Sequence, residues 1–204
     1  MAYATLSQVK SAMSLGTADT TDDTQLTAAL GAAEGLIDGY CGRTFAVAGT
    51  VAATRVYAPP MNFDDDLLWI DDATTVTLVE TDSAGDGAFG TDWASTDWQA
   101  EPLNGIVGGL AVPFTSVRSV GSYLWPRTSR AVVRVTATWG WSAVPDVVEQ
   151  ATIQQTIRLF KRLDSALGFA GGPETGLIRV GRSIDGDVAQ LLAPYRRVTG
   201  VTSA

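Results

Sequence analysis

Val144-Pro-Asp-Val-Val-Glu-Gln-Ala-Thr-Ile-Gln-Gln-Thr-Ile-Arg-Leu-Phe-Lys-Arg-Leu163 reads as a helix from end to end. Pro145 suits a first turn, because the N–H it lacks is one that a helix start leaves unbonded anyway. Asp146 and Glu149 stand near the positive end of the dipole, and Arg158, Lys161 and Arg162 near the negative end. The apolar residues Val147, Val148, Ala151, Ile153, Ile157, Leu159, Phe160 and Leu163 cover more than one face. A helix apolar over so wide an arc is central, flanked on two sides.

Upstream, Thr5-Leu-Ser-Gln8 fits a capping box and starts a helix that runs from about Leu6 to Met13 and stops near Gly16. Residues 17–21 form a polar loop. Asp22 and Asp23 lie in the first turn of a second helix, which continues to Tyr40 and ends at Gly42. Leu26, Leu30, Ala33, Ile37 and Tyr40 form its buried stripe. Gly31, Gly35 and Gly39 recur every four residues on another face, each costing roughly 1 kcal/mol relative to Ala. Such a row serves a close approach of a second backbone, either within the same domain or from another subunit.

Downstream, residues 164–182 are a Gly-containing connection. Asp185 opens a short last helix with Val188, Leu191 and Leu192, stopped by Pro194.

Between these ends the pattern changes. Val51–Tyr57, Leu67–Ile70, Thr75–Val79, Val117–Tyr123 and Ala131–Trp139 are rich in β-branched and aromatic residues. Pro59-Pro60, residues 83–87, Gly108-Gly109 and Pro126 punctuate them. Val133, Val135 and Ala137 alternate with Arg134, Thr136 and Thr138, so that strand has one wet face. The expected fold is α+β: a small helical bundle, two N-terminal and two C-terminal helices, with an inserted antiparallel β-sheet region. Residues 1–45 are the N-terminal helices, 46–141 the β-rich insert and 142–204 the C-terminal helices and tail, together one compact unit.

Composition narrows the chemistry. The 204 residues include no histidine, which removes the commonest general base and every Ser-His or Cys-His nucleophile pair. The single cysteine, Cys41, forms no internal disulfide and is expected as a small buried residue. No apolar run approaches the ~18 residues of a membrane span, and the start shows no secretory leader pattern. Residues 1–117 hold 3 basic and 16 acidic side chains, whereas residues 118–204 hold 11 basic and 6 acidic. An acidic and a basic half suit head-to-side packing of identical copies, although a solvated, accidentally biased surface gives the same counts. The net charge of −8 argues against tight sequence-specific nucleic-acid binding.

Three motifs invite a sharper reading. Gly85-Asp-Gly-Ala-Phe-Gly90 matches G-x-G-x-x-G, but no helix follows it, so a hairpin turn is expected. Asp64-Asp65-Asp66 and Asp71-Asp72 lack the spacing of a cation-binding loop and read as solvated acids. The tryptophans Trp69, Trp93, Trp98, Trp125, Trp139 and Trp141 all fall in the β-rich region, as core or interface anchors rather than a sugar platform.

Four stretches together resemble the head–tail connector (adaptor) proteins of long-tailed bacteriophages. They are Tyr3-Ala-Thr-Leu-Ser-Gln-Val-Lys10; Thr21-Asp-Asp-Thr-Gln-Leu26 with Ala33-Glu-Gly-Leu-Ile-Asp-Gly-Tyr-Cys-Gly-Arg-Thr-Phe45; Val144-Pro-Asp-Val-Val-Glu-Gln-Ala151 with Leu159-Phe-Lys-Arg-Leu-Asp-Ser-Ala-Leu-Gly168; and Leu191-Leu-Ala-Pro-Tyr-Arg-Arg197. The resemblance covers both ends of the chain in order; residues 46–140 are longer than in a minimal member.

It implies a non-enzymatic virion part without cofactor, metal or membrane contact, made in the bacterial host cytoplasm. Copies would close into a ring, typically of twelve, beneath the portal protein. The ring would extend the channel through which double-stranded DNA passes non-specifically and dock the next neck or tail protein. Gly31, Gly35, Gly39, Arg158, Lys161 and Arg162 are then candidates for the subunit contact. Tyr195, Arg196, Arg197 and Val198 are candidates for portal docking, as an extended tail. Asp64, Asp65 and Asp66 would line the channel or face the tail. The rival readings are a neck stopper or tail-completion protein, a carbohydrate-binding surface module using the tryptophans and, more remotely, a carboxylate-based hydrolase.

Overall fold

A computed structural model describes residues 2–16, 18–59, 66–163, 169–170, 178–179 and 184–197. Four helices and an antiparallel sheet make the chain α+β, as its patterning requires. Contacts divide it into two compact units, Met1–Phe45 with Val144–Ala204 and Ala46–Ala143.

In the helical unit, α1 (Leu6–Ala12) opens on the expected capping box. The Thr5 hydroxyl accepts the Gln8 N–H at 3.2 Å, and the Gln8 side chain accepts the Thr5 N–H at 2.7 Å. Helix α2 (Asp23–Cys41) ends at Gly42, whose φ of 64° is left-handed and open to glycine at little cost. Its buried side is Leu26, Ala29, Leu30, Ala33, Ile37 and Cys41, while Tyr40 is only half-buried. Tyr40 instead donates its hydroxyl to the Ala189 carbonyl at 3.1 Å.

Helix α3 (Asp146–Leu163) packs on α1, α2 and α4 (Gly186–Leu192), the central place its wide apolar arc predicts. Its buried surface also takes in Thr152, Gln155 and Thr156, which apolar periodicity passes over. The two hydroxyls are satisfied locally, Thr152 by the Val148 carbonyl at 2.8 Å and Thr156 by the Thr152 carbonyl at 2.7 Å. Gln155 accepts the Asp185 N–H at 3.1 Å, which seats the start of α4. Asp185 caps α4 by accepting the Asp187 N–H at 2.9 Å. Val188 and Leu192 are buried there; Leu191, expected beside them, is 37% exposed.

The other unit is built on β1 (Ala53–Tyr57), β2 (Leu67–Thr81), β3 (Thr91–Asp92), β4 (Trp98–Glu101), β5 (Ile106–Val107), β6 (Leu110–Ala111), β7 (Phe114–Ser119) and β8 (Val133–Trp139). Six of them form one antiparallel sheet in the order β1-β8-β2-β7-β4, with β3 pairing the end of β2. Strand β2 is one strand of 15 residues where two were expected. The acidic pair that reads as a break is carried inside it: Asp71 accepts from Arg55 at 2.6 Å and from the Tyr57 hydroxyl at 3.0 Å, and Asp72 from the Trp141 indole N–H at 3.1 Å. Irregular pairing near Trp69–Ala73 and Thr75–Leu78 bends it and hands its partner from β7 to β8. Strand β7 ends at Ser119 rather than Tyr123. In β8, Val133, Val135 and Ala137 are fully buried and Arg134, Thr136 and Thr138 half-buried, the alternation expected.

Leu68, Ile70, Val79 and Val117 complete this core with Trp93 and Trp125, whose rings stack at 4.4 Å. Gly140, with φ of 118°, follows β8 where a Cβ would lie 2.6 Å from the Ala46 carbonyl. Two further pairs, β5 with β6 and β9 (Phe169–Ala170) with β10 (Ile178–Arg179), form separate two-stranded ribbons.

Candidate assembly surfaces

Glycines 31, 35 and 39 lie on the exposed side of α2. A Cβ at any of the three would meet nothing within 4 Å among the described residues beyond its own turns of helix. Among the described residues no second backbone makes the close approach that the row permits.

The three basic residues of α3 separate. Arg158 forms an ion pair with Asp185, both under a third exposed, so its charge already ties α3 to the cap of α4. Lys161 is exposed and Arg162 half-buried. Lys10 of α1 is buried and pairs with Asp23 at 2.7 Å.

The docking segment also divides. Tyr195 is buried, its ring edge-on to Phe45 at 6.1 Å. Phe45 meets Tyr3 in the same way at 5.7 Å, and the Tyr3 hydroxyl donates to Asp38 at 2.6 Å while accepting the Phe45 N–H at 2.9 Å. Burial, together with the bond to Asp38, pushes the Tyr3 hydroxyl pKa well above its ordinary value. Burial likewise raises the Cys41 thiol to about 11, leaving an inert packing residue. Arg196 lies over the Tyr40 ring at 5.2 Å. The Arg197 N–H donates to the Cys41 carbonyl at 2.7 Å, so Tyr195 and Arg197 belong to the subunit's own fold; Val198 lies outside the described residues.

Of the acidic loop, Asp64 and Asp65 lie outside the described residues. Asp66 is exposed, and its carbonyl accepts from the Trp125 indole at 2.9 Å and from the Ser119 N–H at 2.8 Å.

The glycine motif at 85–90 is the connection between β2 and β3, as its surroundings required. Asp82 organises it, accepting the N–H groups of Gly85 at 2.7 Å, Gly87 at 2.8 Å and Asp86 at 3.3 Å. Those bonds, first the one from Gly87, hold its carboxyl below the usual range. The Gly85, Asp86 and Gly87 amides are spent on Asp82 and the Ala88 amide on Asp86 at 2.9 Å, so none of these four faces outward to cradle a phosphate. Among the described residues no group of three or more His, Cys, Asp or Glu is placed to hold a metal ion. No described helix is long and apolar enough to cross a membrane.

Of the six tryptophans, Trp93, Trp125 and Trp141 are core, and Trp98 and Trp139 pack against it. Arg55 covers Trp139 at 4.5 Å while bonded to Asp71. Only Trp69, 38% exposed, presents much of its surface, so no stacked sugar platform exists.

Sequence reasoning missed the ribbon β5–β6. From Pro102 to Val117 the chain carries no charge, yet Leu103, Ile106 and Val107 are 58%, 55% and 54% exposed. The signal available was that uncharged run, which reading Gly108-Gly109 only as punctuation concealed.

No family model matches the sequence, and no curated protein matches it. Solved structures do resemble it, one of them at the level of a shared fold. A chain in the neck of an empty gene transfer agent (GTA) particle, computed with C6 symmetry, is 20% identical, with 96% of this chain and 91% of that one covered and a TM-score of 0.51. A chain from the neck of the native particle, computed with C12 symmetry, is 22% identical over 87% and 85%, with a TM-score of 0.45. One from the native GTA virion is 21% identical over 92% and 86%, with a TM-score of 0.48.

Proposed function

We propose that this chain is a structural part of a virion neck, a head–tail connector whose copies close into a ring below the portal protein. The ring extends the DNA channel and docks the next neck or tail protein. The observation that carries this reading is a fold shared, over nearly all of both chains, with a chain in the neck of a phage-like particle. Three features of this chain agree with it. The glycine row of α2 is exposed and, among the described residues, open to a neighbour. Acidic and basic side chains are segregated along the sequence, which favours contact between unlike surfaces of identical copies. The side-chain inventory offers no histidine for acid–base or nucleophilic work.

Passage of double-stranded DNA needs no base contacts, and an acidic lining such as Asp64–Asp66 would keep phosphates from sticking. Twelve copies is the number that the family resemblance implies.

Negative-stain imaging of the purified protein, alone and with portal, tests the proposal. Rings seated on portal are expected. A chain that stays solitary in both samples, or is missing from mature particles, overturns it. A ring that binds tail tube and not portal replaces it with the stopper or tail-completion reading.

A further inference from the structure

The sheet unit, residues 46–143, carries five arginines and no lysine against eleven acidic side chains. Three of the arginines hold acids of the sheet: Arg55 pairs with Asp71 at 2.6 Å, Arg118 with Glu101 at 2.7 Å, and Arg134 with Glu80. Arg127 and Arg130, both exposed, line one cleft of about 420 Å³. It lies between the β2–β3 loop and the segment that leads from β7 into β8.

The cleft is built on fixed backbone. The Asp82 N–H donates to the Val132 carbonyl at 2.9 Å, which joins the end of β2 to the approach of β8. The Thr128 N–H donates to the Pro126 carbonyl at 3.0 Å and the Arg130 N–H to the Thr128 hydroxyl at 3.2 Å, so a short turn carries both arginines. Gly85, with φ of 71°, lets the Arg130 guanidinium lie close over its loop: a Cβ there would stand 3.1 Å from Nη1. Asp82, the one acid among the described lining residues, already accepts three N–H groups of its own loop. A guanidinium carries five N–H donors in a rigid fork, so a partner within the chain still leaves donors for an incoming acid.

Apolar surface adjoins the two cations. Leu124, 74% exposed, and Pro126 also line the cleft. Tyr123, next to Leu124, ends a stack of three rings, 5.2 Å from Trp93, which lies 4.4 Å from Trp125. Guanidinium groups beside an aliphatic wall match carboxylates beside an apolar side chain. A nucleic-acid strand matches less well, because its phosphates would continue across a unit with more than twice as many acids as bases.

We infer that the cleft between Arg127, Arg130 and Leu124 takes an acidic peptide segment of a partner protein, one that carries an apolar residue among its carboxylates. This goes beyond the ring reading and does not depend on it, since the cleft lies within one unit of one chain.

The test titrates the full chain with a capped pentapeptide, two glutamates on each side of one leucine, followed by tryptophan fluorescence and calorimetry. Saturable binding that weakens as salt is raised is expected. Arg127→Gln with Arg130→Gln is expected to weaken it at least about tenfold, and Leu124→Ser severalfold, with wild-type circular dichroism and melting in both variants.

No binding at the highest soluble peptide concentration overturns the inference, as does binding that the double arginine variant leaves unchanged. Equal affinity for a peptide with serine in place of the leucine overturns it too, since the aliphatic wall then plays no part. Tighter binding of an oligothymidylate than of the peptide replaces it with a nucleic-acid site. Ring formation enters none of these outcomes, so the ring reading stands or falls apart from them.

Discussion

The backbone N–H of Arg197 donates to the carbonyl of Cys41 at 2.7 Å, tying the departing C-terminal segment to the last turn of α2. A helix end leaves its final carbonyls without partners, so the tail supplies one that the helix lacks. With Tyr195 buried against Phe45, the fold of the helical unit extends to residue 197.

Removal of residues 198–204 is accordingly expected to leave urea unfolding unchanged while abolishing attachment to portal. Truncation after Pro194 also removes the buried Tyr195 ring and is expected to cost about 3 kcal/mol or more. Normal portal attachment by the shorter deletion would remove the docking role from the tail.

Charge reversal separates two uses of the α3 cations. Arg158→Glu breaks the pair with Asp185 and is expected to lower the stability of the free subunit by about 1 kcal/mol, the pair being partly solvated. Lys161→Glu, on an exposed side chain, is expected to leave stability unchanged and to weaken ring formation. Sedimentation and urea titration of both variants read the difference; equal assembly by Lys161→Glu and wild type would deny the lysine any part in it.

Glycines of α2 and of the sheet unit should respond in opposite directions. Gly35→Ala adds a methyl into open space within a helix and is expected to raise melting, by roughly 0.5–1 kcal/mol. Gly35→Leu is expected to keep the subunit folded and to block its neighbour, which size-exclusion chromatography would show as lost oligomer. Gly140→Ala meets the Ala46 carbonyl in a conformation that L side chains rarely adopt, and is expected to destabilise by about 2 kcal/mol.

Acid should act on the loop between β2 and β3. The Asp82 carboxyl titrates below its unfolded value because Gly87, Gly85 and Asp86 donate to its charged form. A depressed folded pKa contributes stability that is complete above the unfolded value, about 3.9, and is lost as pH falls through the folded one. Urea midpoints of the wild type are expected to drop below about pH 4. Asp82→Asn is expected to be weaker at neutral pH and flatter on the acid side. Identical acid profiles would show that the carboxylate contributes nothing.

Local rules carried far in this chain. The Thr5–Gln8 box, the Gly42 stop, the Asp185 cap and the alternation in β8 each depend on neighbours within a few residues, and all are present as the sequence pattern indicated. The errors have one origin. Asp71-Asp72 reads as a pair of solvated acids, although Asp72 is buried, and the core residues Thr152, Gln155 and Thr156 escape apolar periodicity. In both cases the polar groups find partners, and most of those partners lie on elements remote in sequence: Arg55, Tyr57 and Trp141 for the acids, Asp185 for Gln155. Tyr195 reads as the start of an extended tail; where its ring goes depends on Phe45, remote in sequence.

By itself the amino-acid order determined the four helices, the alternation of β8, the absence of histidine chemistry and the resemblance to phage connectors, since periodicity, capping and composition act at short range. Only the tertiary structure decided which faces stay uncovered. The exposed glycine row of α2, the engaged Arg158, the seated Tyr195 and the cleft shared by Asp82, Arg127 and Arg130 are all matters of distance between remote residues. Burial is a property of what else arrives at a place, and a pattern along one segment cannot contain that.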